Sequence, residues 1–218
     1  MLSTRYLFLY NAVMCVGWSA VLVRLLQAIS TGSSVYEAVQ APLKIFQTGA
    51  LLEVIHSVIG LIRAPVATTL LQVSSRLMIL WGVTQPVEPV RSNLSFIAMI
   101  IAWSLTEIPR YLYFTVASVA RHVPSWLTFI RYTTFIPLYP LGASSEWLTL
   151  YAALPHIRQS KLFSISLPNY LNFAFNYHYF CVIILTMYIP GLPHMYSHML
   201  RQRKKYVTVP TAKPAKAD

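Results

Sequence analysis

A tyrosine and a glutamate seven residues apart in an apolar segment, Tyr139 and Glu146, are the pair in this sequence best suited to moving protons. They stand in the run Leu138-Tyr139-Pro140-Leu141-Gly142-Ala143-Ser144-Ser145-Glu146. That spacing is nearly two helical turns, so both side chains face the same way, with backbones ~10 Å apart in a straight helix. Side chains lean toward the helix N-terminus, which aims Glu146 back toward Tyr139. Pro137, Pro140 and Gly142 predict a kink here that draws the phenol and the carboxyl closer. A carboxyl group held out of water beside a phenol suits acid–base catalysis near neutral pH. A plainer reading stands beside this one, because tyrosine is common where membrane helices meet water.

Other polar residues lie inside apolar segments or close to their ends: Arg24, Glu53, His56, Gln72, Arg76, Glu107, Arg110 and Arg131. An ionisable side chain at mid-membrane is costly and normally faces the bundle interior. So many in a small chain predict a polar cavity. For Glu53, His56, Arg76, Glu107, Arg110 and Arg131 two roles are open: binding a polar substrate group, or pairing with one another to hold helices together. Glu107 and Arg110, three apart on one segment, are spaced to pair locally. Cys15 and Cys181 fall in different segments and make neither a disulfide framework nor a metal motif. No metal site is expected.

The elements that must position these residues follow from composition. Of 218 residues 56% are hydrophobic and 11% charged, too few charges to keep a soluble domain of this size dispersed. The apolar residues form stretches near the ~20 needed to cross a bilayer as a helix. Period-2 alternation is absent, so the spans are helices rather than barrel strands. The predicted fold is an all-α polytopic membrane bundle of six spans: Tyr6–Ile29, Lys44–Ile62, Pro65–Thr84, Leu94–Ala120, Trp126–Ala153 and Tyr177–Leu200. Arg63-Ala64-Pro65 makes a tight turn, and 154–176 is the longest loop. Residues 1–205 form one transmembrane domain, and 206–218 a polar, disordered tail. The net charge of +11 is spread over the ends of the spans rather than gathered in a nucleic-acid-binding patch. With the N-terminus cytosolic, nine basic residues fall on the cytosolic side (Arg5, Arg63, Arg121, Arg201, Arg203, Lys204, Lys205, Lys213, Lys216). Four fall on the other (Lys44, Arg91, Arg158, Lys161), which places both termini in the cytosol.

Several segments, taken in order, resemble the 3-hydroxyacyl-CoA dehydratase family, also called protein-tyrosine-phosphatase-like membrane proteins. They are Leu52-Glu53-Val54-Ile55-His56 with Gly60-Leu61-Ile62-Arg63-Ala64-Pro65; Ser75-Arg76-Leu77 with Trp81-Gly82; Trp103-Ser104 with Thr106-Glu107-Ile108 and Arg110-Tyr111; Arg131-Tyr132-Thr133; and the run from Tyr139 to Glu146. Leu154-Pro155-His156-Ile157, Pro168-Asn169 and Pro190-Gly191-Leu192-Pro193-His194-Met195-Tyr196 are similar to the plant pasticcino-type branch. The resemblance implies the third step of very-long-chain fatty acid elongation at the endoplasmic reticulum, in which (3R)-3-hydroxyacyl-CoA loses water to give trans-2-enoyl-CoA. It further implies Tyr139 and Glu146 as the catalytic pair, with no cofactor. The implied partners are a ketoacyl-CoA synthase, a ketoacyl-CoA reductase and an enoyl-CoA reductase. Dehydration needs a base for the C2 proton and an acid for the departing C3 hydroxyl, and either member of the pair could take the C2 proton.

Phosphatase chemistry is excluded, because the run His56-Ser57 to Arg63 lacks the nucleophilic cysteine. Two departures from the family pattern remain. Pro109 stands where the family carries an aliphatic residue, and a proline at mid-helix bends the chain. No complete retrieval signal ends the sequence, since Pro214 and Ala215 stand beside Lys216. The rival readings are a non-catalytic family member that scaffolds the elongase complex and a small transporter. A transporter predicts matching broken helices in both halves, and the first half has none.

Overall fold

A computed structural model describes residues 2–204 apart from 171, so the predicted tail at 206–218 lies outside the described residues. Helix α1 (Leu2–Thr31) is followed by α2 (Val35–Gly49), α3 (Leu51–Val58) and α4 (Val66–Leu77). The α4 helix runs on into a π-helical stretch at Met78–Thr84, and a 3-10 turn at Glu88–Ser92 leads into α5 (Leu94–Val119). The chain closes with α6 (Ser125–Thr133), α7 (Phe135–Ser160) and α8 (Tyr177–Arg203). Among the described residues the extended backbone pairs only at an isolated antiparallel bridge between Ile165 and Phe175.

The central helix is α5, which packs against α1 on one side and α7 on the other, while α8 covers α7. Its sequence explains this position. Phe96, Met99, Ile100, Trp103, Glu107 and Tyr111 are buried at helical spacing, whereas Leu94, Leu105, Leu112 and Phe114 of the same helix are exposed. Large apolar side chains turned outward on α1, α4, α5 and α8 suit lipid rather than water. Three segments, Ser3–Thr31, Val66–Thr84 and Tyr177–Arg203, are long and apolar enough on their own to cross a membrane. Of the interior carboxylates, Glu53, Glu107 and Glu146 all lie in the other spans. The chain forms the all-α membrane bundle expected, and each of the six predicted spans coincides with one helix or two consecutive ones.

The structure corrects several boundaries. The second span starts at Val35, not Lys44, and is broken at Ala50. There the Tyr10 hydroxyl donates to the Gly49 carbonyl at 3.3 Å, drawing it out of the helical ladder. The turn after α3 begins at Ile59 and includes Gly60 at φ +72°, a left-handed conformation that glycine adopts without strain. In the fifth span the break falls at Thr134, upstream of the predicted kink. Pro137 has no N–H to offer the Thr133 carbonyl four residues before it, so the ladder fails there. Beyond it α7 is continuous through Pro140 and Pro155 to Ser160, shortening the expected loop by seven residues, 154–160. Arg24 and Gln72 are exposed on the outer surface rather than turned inward.

Candidate active site

Helices α5 and α7 pack together at two small residues, Gly142 and Ala102. A Cβ at Gly142 would sit 3.4 Å from the Cβ of Ala102, a small-residue contact of the kind that lets membrane helices meet. One residue on from Ala102 is Trp103, and one turn on from Gly142 is Glu146, so the contact brings these two side chains together. The Trp103 indole N–H donates to Glu146 Oε1 at 2.7 Å. From the other side the Tyr188 hydroxyl of α8 donates to Glu146 Oε2 at 2.8 Å. Trp103 is 1% exposed and Glu146 9%, so this is an interior carboxylate with a neutral donor on each oxygen.

Tyr139 lies on the same face of α7 as Glu146, half-buried, with its ring stacked on Tyr196 of α8 at 6.1 Å between centroids. Because α7 and α8 run antiparallel, Tyr139 meets Tyr196 and Glu146 meets Tyr188, about two turns further along each helix. Among the described residues the Tyr139 hydroxyl has no hydrogen-bond partner. Among the described residues no hydrogen bond joins the phenol to the carboxyl, whose oxygens are held by Trp103 and Tyr188. The helix is unbroken between Tyr139 and Glu146.

The polar cluster expected from the sequence divides. Glu53, Arg110, Glu107 and Arg76 form one network of two carboxylates and two guanidinium groups. Arg110 grips Glu53 through two bonds of 2.8 Å and reaches Glu107 through Nε at 2.6 Å. Arg76 pairs with Glu107, and the Tyr111 hydroxyl donates to Glu53. The local pairing of Glu107 with Arg110 is as the spacing predicted, and Pro109 does not prevent it.

His56 and Arg131 stand outside this network. His56 Nε2 is 2.8 Å from the Tyr6 hydroxyl, and the rings of Tyr6 and Tyr10 meet the imidazole edge-on. Arg131 lies over the rings of Tyr113 and Phe114, 4.3 and 4.1 Å from their centroids. It has no carboxylate partner among the described residues.

Arg76 joins the network to the Glu146 site, its guanidinium standing over the Trp103 ring at 5.3 Å. Trp103 and Glu107 are four apart on α5, one turn, so the two sites sit on one helix face. The residues not picked out by chemistry alone were Trp103, Tyr111 and Tyr188. Trp103 shares a helix face with Glu107, which is a usable signal. Nothing around Tyr188 distinguishes it from the other tyrosines of an aromatic-rich chain.

Comparison with known proteins gives this geometry a context. Residues 47–209 match the family model described as protein tyrosine phosphatase-like protein, PTPLA. The chain is 47% identical over 210 residues to very-long-chain (3R)-3-hydroxyacyl-CoA dehydratase 2 of Homo sapiens, covering 95% of this chain and 82% of that one. It is 43% identical over 202 residues to very-long-chain (3R)-3-hydroxyacyl-CoA dehydratase PASTICCINO 2 of Arabidopsis thaliana, covering 92% and 91%. The Caenorhabditis elegans dehydratase hpo-8 is 39% identical over 203 residues, covering 92% and 93%. No solved structure matches. With its model matched over most of the described helices and these relatives aligned nearly end to end, the chain belongs to the protein tyrosine phosphatase-like family, PTPLA.

Proposed function

We propose that this protein is a very-long-chain (3R)-3-hydroxyacyl-CoA dehydratase, a hydro-lyase of fatty acid elongation, with Tyr139 and Glu146 as its catalytic pair. The observation that carries the reading is the interior carboxylate of Glu146 on the α7 face that also presents Tyr139, in a chain whose relatives bear the dehydratase name. In the reaction the C2–H and C3–O bonds break and the C2=C3 double bond forms. One member of the pair accepts the C2 proton, and the other supplies a proton to the departing hydroxyl, which leaves as water. The acyl chain lies between helices with its thioester against α7.

The remaining parts of the reading concern setting. The protein works in the endoplasmic reticulum membrane with both termini in the cytosol, where Arg121, Arg201, Arg203, Lys204 and Lys205, the last outside the described residues, attract the CoA phosphates. It acts beside a ketoacyl-CoA synthase, a ketoacyl-CoA reductase and an enoyl-CoA reductase. The similarity does not favour the plant branch, since the human relative matches at 47% and the Arabidopsis one at 43%. Membranes carrying the protein should convert (3R)-3-hydroxystearoyl-CoA to the trans-2-enoyl product above the level of membranes without it. Well-expressed, folded protein that forms none would contradict the enzymatic reading and favour a scaffold.

A further inference from the structure

The two oxygens of Glu146 are held by partners of different kinds. Trp103 can only donate, whereas a tyrosine hydroxyl both donates and accepts. When Glu146 is ionised, both bonds run toward the carboxylate, at 2.7 Å from Trp103 and 2.8 Å from Tyr188. When it carries a proton, the hydroxyl oxygen of the acid is the poorer acceptor, so the indole N–H favours leaving Oε1 as the carbonyl oxygen. The proton then falls on Oε2, where the Tyr188 hydroxyl can turn from donor to acceptor. The bond to α8 thus persists in both protonation states. The Trp103 ring is fixed by burial and by the guanidinium of Arg76 over it. The α8 backbone beside Tyr188 is tied to α7 by the Trp147 indole, which donates to the Leu185 carbonyl at 3.2 Å.

We propose that Tyr188 is a positioning residue of the dehydratase site, keeping Glu146 oriented and hydrogen-bonded through Oε2 whether or not it holds a proton, with Trp103 fixing the other oxygen. This rests on the reading of Glu146 as catalytic. It adds a third helix, α8, to a site otherwise built on α5 and α7.

Tyr188→Phe removes one oxygen and keeps the ring, so packing is preserved. For detergent-purified variant protein the expected result is kcat lower by roughly tenfold or more, with KM within about twofold of native. That split marks an interaction used in the transition state rather than in substrate binding. Tyr188→His, which returns an N–H to the site, should recover part of the loss. Should Tyr188→Phe fail to give monodisperse protein, Trp103→Phe strips the other oxygen and carries the same expectation. Native kcat in Tyr188→Phe overturns the proposal, as does a raised KM with unchanged kcat, or a His variant no better than the Phe one. Glu146→Gln measured alongside separates the failures. If it remains active, the reading of Glu146 falls. If it is inactive while Tyr188→Phe turns over normally, only the role of Tyr188 falls.

Discussion

Arg76 of α4 stacks on the indole of Trp103 while its guanidinium pairs with Glu107, so one side chain joins the charged network to the ring that holds Glu146. The stack depends on the flat, delocalised guanidinium, and lysine supplies a compact charge instead. Arg76→Lys should keep the charge balance with Glu107 and lose the support of Trp103. With cation–π contacts contributing about 0.5–2 kcal/mol, the variant should lose stability by about that amount, and dehydration should slow as Trp103 loosens its hold on Glu146. Parallel activity and thermal-melt measurements on purified protein check this.

The network of Glu53, Arg110, Glu107 and Arg76 is neutral as two carboxylate–guanidinium pairs bridged by Arg110. Glu53→Leu leaves Arg110 with one of its three hydrogen bonds, and breaking a buried pair from one side destabilises by about 3–5 kcal/mol. Removing Glu53 and Arg110 together leaves Arg76 with Glu107, again balanced. The double variant Glu53→Leu with Arg110→Met should therefore be more stable than the sum of its singles. Thermal melts of the two singles and the double test this, and additive losses would contradict it.

Helix α8 is latched to the π-helical turn after α4 at a glycine. The Tyr177 hydroxyl donates to the Gly82 carbonyl at 3.1 Å, and a Cβ on Gly82 would lie 2.2 Å from that hydroxyl oxygen. Gly82→Ala must displace Tyr177, with a loss of about 1–3 kcal/mol, the usual range for overpacking. Tyr177→Phe relieves the contact at its closest point, so the double variant should melt above Gly82→Ala alone. A double variant no better than Gly82→Ala would place the strain elsewhere.

The sequence made the helices legible because lipid demands long apolar segments, and it marked the interior because charges there are conspicuous. Local relations were readable by the same logic, as with Glu107 and Arg110 three residues apart. Glu53 was readable as interior, but its partner Arg110 lies 57 residues away, and spacing carries no information at that range. The break at Thr134 was expected further along, because a proline disturbs the carbonyl four residues before it rather than its own position. Trp103 and Tyr188 escaped chemical reading because neutral aromatic residues abound in membrane helices. Only the α5–α7 contact at Gly142 and the antiparallel register of α7 and α8 reveal which of them reach a carboxylate.

Unlike Tyr188, Tyr139 has a hydroxyl without a partner among the described residues. Its loss should leave the fold intact. Tyr139→Phe keeps the stack on Tyr196 and should melt within about 0.5 kcal/mol of native stability, the range for a change that breaks no internal bond. Its dehydration rate should fall by at least ~100-fold, as expected on removing a general acid or base.

The measurement that bears most directly on the account is dehydration of (3R)-3-hydroxystearoyl-CoA by purified native protein and by Glu146→Gln, with folding of both monitored. The native protein should form trans-2-enoyl-CoA and the variant should not, with both equally folded. Undiminished product from a folded Glu146→Gln variant would contradict it.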